Sequence, residues 1–194
     1  MHCPTPIRSL LQGAVYKFII MNIKNLLIVS LLMALTSCRT YPVPEGAVVV
    51  KPFDKEKYLG TWYEIARFDF KFEKNLNNTT ATYSLNEDGT IKVVNRGFNY
   101  VKGQWKESVG RAKFVDSMDE ARLKVSFFGP FYGGYNVIAL DKDYQYALIS
   151  GSSLEYLWIL ARKPTIPEDV KQHYVSLAQE IGFEVSNLIW VEHK

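Results

Sequence analysis

Gly60-Thr61-Trp62-Tyr63-Glu64-Ile65-Ala66-Arg67-Phe68 opens on a glycine and continues in β-branched and aromatic residues, so it reads as a β-strand over 61–68. Seven further runs of this kind follow, at 79–85, 90–95, 104–114, 121–128, 134–141, 145–150 and 156–161. The links between them are short and carry turn residues. Asn86-Glu87-Asp88-Gly89 puts glycine where a left-handed backbone is needed, and Gly129-Pro130-Phe131-Tyr132-Gly133-Gly134 turns without steric penalty. Consecutive strands are therefore expected to pair as neighbours. Eight antiparallel strands in a meander leave two raw edges unless the first pairs with the last, and closure removes both. Such a barrel has room for one small ligand.

One helix is expected, at 168–181, where Val170, Tyr174, Leu177, Ala178 and Ile181 fall on one stripe and Gly182 supplies the stop. The stripe should pack on the outside of the barrel. A last run at 188–191 should add to a sheet edge or strap across the barrel. The expected fold is all-β, an eight-stranded antiparallel up-and-down β-barrel with one C-terminal α-helix packed outside.

The first 37 residues read as a leader. From Met21, Lys24 supplies a positive start and 26–35 form an apolar run too short for a confident membrane span. Residues 1–20 add nothing to a leader already complete from Met21, which fits an over-extended start site. The run ends in Leu35-Thr36-Ser37-Cys38, which resembles the lipobox of bacterial lipoproteins. That resemblance implies cleavage before Cys38, lipidation of its thiol and, with Arg39 rather than Asp following, sorting to the outer membrane with the barrel facing the periplasm. Residues 38–50 then form the lipidated cysteine and a linker, and 51–194 the barrel domain.

Charge narrows the partners. The chain's net charge of +3 comes from Arg8, Lys17 and Lys24, all before Cys38, where no acid occurs; basic and acidic residues balance from Cys38 onward. A neutral body offers no broad field for a polyanion, which argues against nucleic acid. Cys3 and Cys38 both fall in the leader region, so the barrel holds neither a thiol pair nor a cysteine metal site.

Gly60-Thr61-Trp62 resembles the lipocalin G-x-W signature on the first strand. Tyr135-Asn136-Val137-Ile138-Ala139-Leu140-Asp141 is similar to the family's second motif at the sixth strand, though that motif is usually closer to Thr-Asp-Tyr. Arg162, closing Trp158-Ile159-Leu160-Ala161-Arg162, stands where the family places an arginine after its eighth strand, and the helix follows. The resemblance covers 50–194 and is closest to the bacterial lipocalins related to apolipoprotein D. It implies that Arg162 lies across Trp62 and seals the barrel floor, with Gly60 as part of the same closure. It also implies a lipid-carrying protein whose ligand is a fatty acid or lysophospholipid; no enzymatic activity, cofactor or metal is expected.

With Trp62 inward, alternation along the strand turns Glu64, Ala66 and Phe68 inward too. The family pattern on the other strands adds Ala81, Tyr83, Val93, Asn95, Ala112, Phe114, Val125, Phe127, Tyr135, Val137, Tyr156 and Trp158 to the expected pocket lining. Small Ala66, Ala81, Ala112 and Ala139 on that register favour a cavity over a plug. Glu64 is the exception among apolar neighbours, and an inward carboxylate must find water, a hydrogen-bond partner or a ligand headgroup. Asn95 and the hydroxyls of Tyr83, Tyr135 and Tyr156 have the same choice.

Two other classes compete. A hydrolase or isomerase on the same barrel has poor signals: the body's histidines are His173, on the expected helix, and His193, beside the terminus; Gly151-Ser152-Ser153 lacks the nucleophile elbow; and the glycines near Tyr132 have no following Lys-Ser/Thr. An interaction protein would use the aromatic-rich stretch of Phe127, Phe128, Phe131, Tyr132 and Tyr135, which rims the pocket or joins two copies as a homodimer.

Overall fold

The computed structural model describes residues 41–194. The leader and Cys38 lie outside the described residues. Eight strands run as β1 (Gly60–Phe68), β2 (Leu76–Leu85), β3 (Ile91–Asn99), β4 (Gln104–Phe114), β5 (Arg122–Phe128), β6 (Phe131–Leu140), β7 (Tyr146–Ser150) and β8 (Leu157–Ala161). Each pairs antiparallel with the next, β8 pairs with β1, and Gly60–Tyr63 of β1 pairs with Thr80–Tyr83 of β2 to close the barrel. The link expected at 129–134 tightens to Gly129-Pro130, because β6 already begins at Phe131 and pairs it with Phe128.

The closure is partial, and the C-terminus completes it. Above Tyr63, β1 leaves β2 and pairs with β9 (Leu188–Trp190) through Ala66, Arg67 and Phe68. The last residues then bridge the gap. The Val191 amide donates to the Ile65 carbonyl, the Asn78 amide to the Glu192 carbonyl, and the Lys194 amide to the Asn78 side chain.

Helix α1 (Lys55–Tyr58) precedes β1 and was not signalled by periodicity, being a single turn. Asp54 starts it, its carboxylate accepting from the Glu56 and Lys57 amides. Helix α2 (Glu168–Ile181) ends on Gly182, whose φ of 106° lets its amide reach back to the Ala178 and Gln179 carbonyls. Tyr174 and Ala178 bury the expected stripe against an outer cluster of Ile65, Ala66, Phe68, Ile138, Leu148 and Ile159. A second cluster fills the barrel itself, around Trp62, Tyr58, Tyr83, Val93, Ala112, Leu123 and Ile149.

Candidate functional site: the barrel lumen

The lumen is built in three storeys. At the closed end the Trp62 indole donates to the Tyr58 carbonyl at 2.8 Å, and the Arg162 guanidinium lies over its ring, 4.0 Å from the centroid. Arg162 also donates to the carbonyls of Lys57 (2.6 Å), Thr61 (3.0 Å) and Tyr144 (3.2 Å), tying the turn before β1, the start of β1 and the β6–β7 loop together. Burial pulls its pKa down, yet a guanidinium stays protonated. Gly60 has φ 96°, and a Cβ there would come within 3.3 Å of the Arg162 Nη1, so the glycine lets the guanidinium cross. Outside this floor, Lys57, Lys142, Asp143, Tyr144 and Gln145 line an open polar cleft of about 360 Å³ that does not enter the barrel.

Above the floor sits a tyrosine hub. The Tyr135 hydroxyl meets the hydroxyls of Tyr58 at 2.7 Å and Tyr83 at 2.8 Å. Burial pushes all three pKa values up, so the hub is neutral at physiological pH. These rings, with Phe53, Ile91, Ala112, Leu123 and Val125, leave a cavity of only about 10 Å³, at the lower limit for one water. The lower lumen is therefore packed.

The third storey is polar on one side. Alternation carries Trp62 and Glu64 inward, but a β-bulge follows: Glu64 opposes Leu160 and Ala66 opposes Ile159, with Ile65 extra between them. The bulge reverses parity. Ala66 and Phe68 consequently face outward into the helix cluster, where Phe68 meets Phe183, and the inward residue is Arg67. A second bulge between Val137 and Ala139 likewise turns Ala139 out.

Arg67 is 2 % exposed and holds the storey together. It donates to Glu64 at 2.7 Å and to the carbonyls of Glu73 and Leu76 at 3.0 Å, and its Nε lies 3.9 Å from the Glu73 carboxylate. Glu73 also accepts from the Trp158 indole at 3.2 Å. Burial raises the pKa of Glu64 against the pull of Arg67. Glu73 is pushed up to about 8, first by burial and then by the charge of Glu64, so at pH 7 it is mostly the neutral acid and the cluster is close to neutral.

Glu73 belongs to the β1–β2 loop, residues 69–75, which folds over the open mouth. Phe70 packs edge-on to Trp158 and Tyr156, Phe72 lies 5.5 Å from Phe128 at the β5–β6 tip, and Lys106 donates to the Phe72 carbonyl at 2.8 Å. Beneath this cover Asn95, Phe127 and Trp158 face inward while half-exposed, and the Asn95 carbonyl oxygen is buried without a hydrogen-bond partner. Ala81 and Val93 lie in the inner cluster with Tyr83 and Val137; Phe114 packs edge-on to Phe53 at the closed end; Tyr156 stacks on Trp158 at the rim.

The histidines sit apart from this. His173 is exposed on α2, and His193 contacts the Glu64 backbone carbonyl at 2.8 Å from outside, edge-on to Tyr63. Among the described residues no group of three or more His, Cys, Asp or Glu could hold a metal ion.

The comparisons agree with this geometry. Residues 53–193 match the Lipocalin-like domain family. The chain is a lipocalin. This lipocalin is 54% identical over 156 residues to the outer membrane lipoprotein Blc of Escherichia coli K12, covering 80% of this chain and 88% of that protein. It is 36% identical to apolipoprotein D of Rattus norvegicus, over 70% of this chain and 71% of that one. Among solved structures, insecticyanin from the tobacco hornworm Manduca sexta superposes with a TM-score of 0.64 at 17% identity, over 80% of this chain and 88% of that one. That last likeness concerns the fold alone.

Sequence reasoning missed Tyr58, Arg67 and Glu73. Asp54 was a readable cap for the turn that carries Tyr58. The bulge that admits Arg67 had no signal in the alternation of β1, and Glu73 sits in a loop whose path only tertiary contacts set.

Proposed function

We propose that this lipocalin carries a single-chain lipid, a fatty acid or lysophospholipid, with its hydrocarbon tail in the upper lumen, and that acyl groups on Cys38 hold it at the outer membrane. The observation that carries the reading is a closed barrel sealed at its Trp62–Arg162 floor, with apolar, solvent-reached Phe127 and Trp158 facing inward under a loop that covers the mouth. Burying apolar surface there is favourable by about 25 cal/mol per Å². The Glu64–Arg67–Glu73 cluster and the unpartnered Asn95 oxygen offer a headgroup polar contacts at the wall. The membrane assignment is supported by Leu35-Thr36-Ser37-Cys38 and by the likeness to a protein named an outer membrane lipoprotein. Among the described residues no helix is long and apolar enough to cross a membrane.

The reading treats the protein as a binder rather than an enzyme, because the described histidines, His173 and His193, lie outside the lumen. The test is native mass spectrometry of residues 39–194 purified without the anchor. Co-purifying or added acyl lipid bound one to one supports carriage; a barrel that stays empty with excess fatty acid and lysophospholipid refutes it.

A further inference from the structure

The two ends of the barrel differ in a way that lipid carriage alone does not require. Around the mouth the loops expose Phe72, Tyr100, Val101, Phe128, Leu154 and Tyr156, each between 37% and 66% accessible. Lys71, Lys74, Lys102 and Lys106 stand among them, against exposed Asp69 and Glu155. At the closed end the loops 86–90, 115–121 and 141–145 carry seven carboxylates and one lysine. Arg111, Arg122 and Lys51 pair with three of those carboxylates, and Lys57, Lys113 and Arg162 stand at the same end, so its charges are mixed. The mouth is therefore greasy and basic, whereas the closed end is polar and mixed in charge.

The start of the described chain lies against the outer wall of β5 and β6. Arg122 donates to the Tyr41 carbonyl, and Lys124 sits 5.0 Å from the Tyr41 ring and 5.6 Å from the ring of Tyr132. Only Arg39 and Thr40 separate Tyr41 from Cys38, a tether of at most ~11 Å.

We propose that the open end of the barrel docks on an anionic bilayer surface, the membrane that holds the acyl anchor, so that the mouth faces lipid rather than the aqueous compartment. The proposal rests on the anchored reading of Cys38 given above. Aromatic side chains settle at the headgroup level, and lysines among them are drawn to anionic lipid. A short tether makes the contact intramolecular, so weak docking is enough to set the orientation. A lipid then passes between bilayer and lumen through the 69–75 loop without crossing water.

The test uses the full chain, expressed, processed and lipidated, on vesicles of phosphatidylethanolamine and phosphatidylglycerol. A nitroxide is placed at the mouth through Leu154→Cys or at the closed end through Glu87→Cys, and its relative accessibility to oxygen and to a water-soluble nickel chelate is read. Flotation with the vesicles, a several-fold higher oxygen-to-nickel ratio at 154 than at 87, and loss of that difference in Phe72→Ser/Phe128→Ser support docking. Flotation with both labels equally aqueous overturns docking and leaves the anchor standing. A mouth label shielded from oxygen and nickel alike shows a second copy of the chain there instead, and overturns it too. Failure to float overturns the anchored reading, and docking with it.

Discussion

The Arg162 guanidinium stacks on Trp62 across the seam where the first strand meets the last, and three backbone carbonyls from separate segments converge on it. A planar donor fork suits this role because it stacks and donates at once. Arg162→Ala should lower stability by about 1–3 kcal/mol, since the stack and the charge-assisted bonds are lost. Arg162→Lys should recover only a minor part. Urea unfolding of the three proteins measures this; an Arg162→Ala midpoint equal to the parent's would show the seam to be held elsewhere.

Gly60→Ala probes the same seam from the other side. The substitution adds a Cβ at φ 96° that would come within 3.3 Å of the guanidinium. Strain at the left-handed position should cost about 1–2 kcal/mol. In Gly60→Ala/Arg162→Ala the crowding part of that cost disappears, so the two effects should fall short of additive in a double-mutant cycle. Strict additivity would mean that the glycine serves backbone conformation alone.

Glu73 makes stability depend on pH in an unusual direction. Its carboxyl has a pKa of about 8 in the folded protein against an ordinary value of 4.5. Between those values the folded state binds a proton that the unfolded state has lost, so the residue's contribution falls as pH rises, by at most about 1.4 kcal/mol per pH unit, and levels off above 8. Glu73→Gln should therefore gain on the parent steadily from pH 5 to pH 8. Denaturation curves at several pH values compare the two, and profiles that run parallel would contradict the assignment.

Two tryptophan substitutions separate the packed storey from the half-exposed one above it. Ala112→Trp forces a large ring into a space of about 10 Å³ and should destabilise by about 1–3 kcal/mol or more. Asn95→Trp occupies the half-exposed upper lumen and should keep the melting temperature within a few degrees while weakening fatty-acid binding at least tenfold. Calorimetry and a fluorescent fatty-acid titration report the two effects.

The barrel's existence was legible because each hairpin carried its own turn residues and strand chemistry, and the floor was legible because Gly60, Trp62 and Arg162 are tied to a family pattern. Parity was legible only as far as the first bulge. Trp62 and Glu64 obey the alternation, while Ala66 and Phe68 do not, since one extra residue moves every later side chain to the other face. What sequence left most obscure is how full the lumen is. Small Ala81 and Ala112 suggested a void, but Tyr58 arrives from a separate helical turn and fills the space they leave.

The central claim is that a hydrocarbon chain occupies the storey between the tyrosine hub and the 69–75 loop. A fatty acid carrying a nitroxide on its tail, titrated into isotope-labelled residues 39–194, tests it through relaxation of backbone amides. Saturable broadening centred on Asn95, Phe127 and Trp158, displaced by unlabelled fatty acid, is the predicted result; broadening confined to the outer surface, or none that saturates, would contradict it.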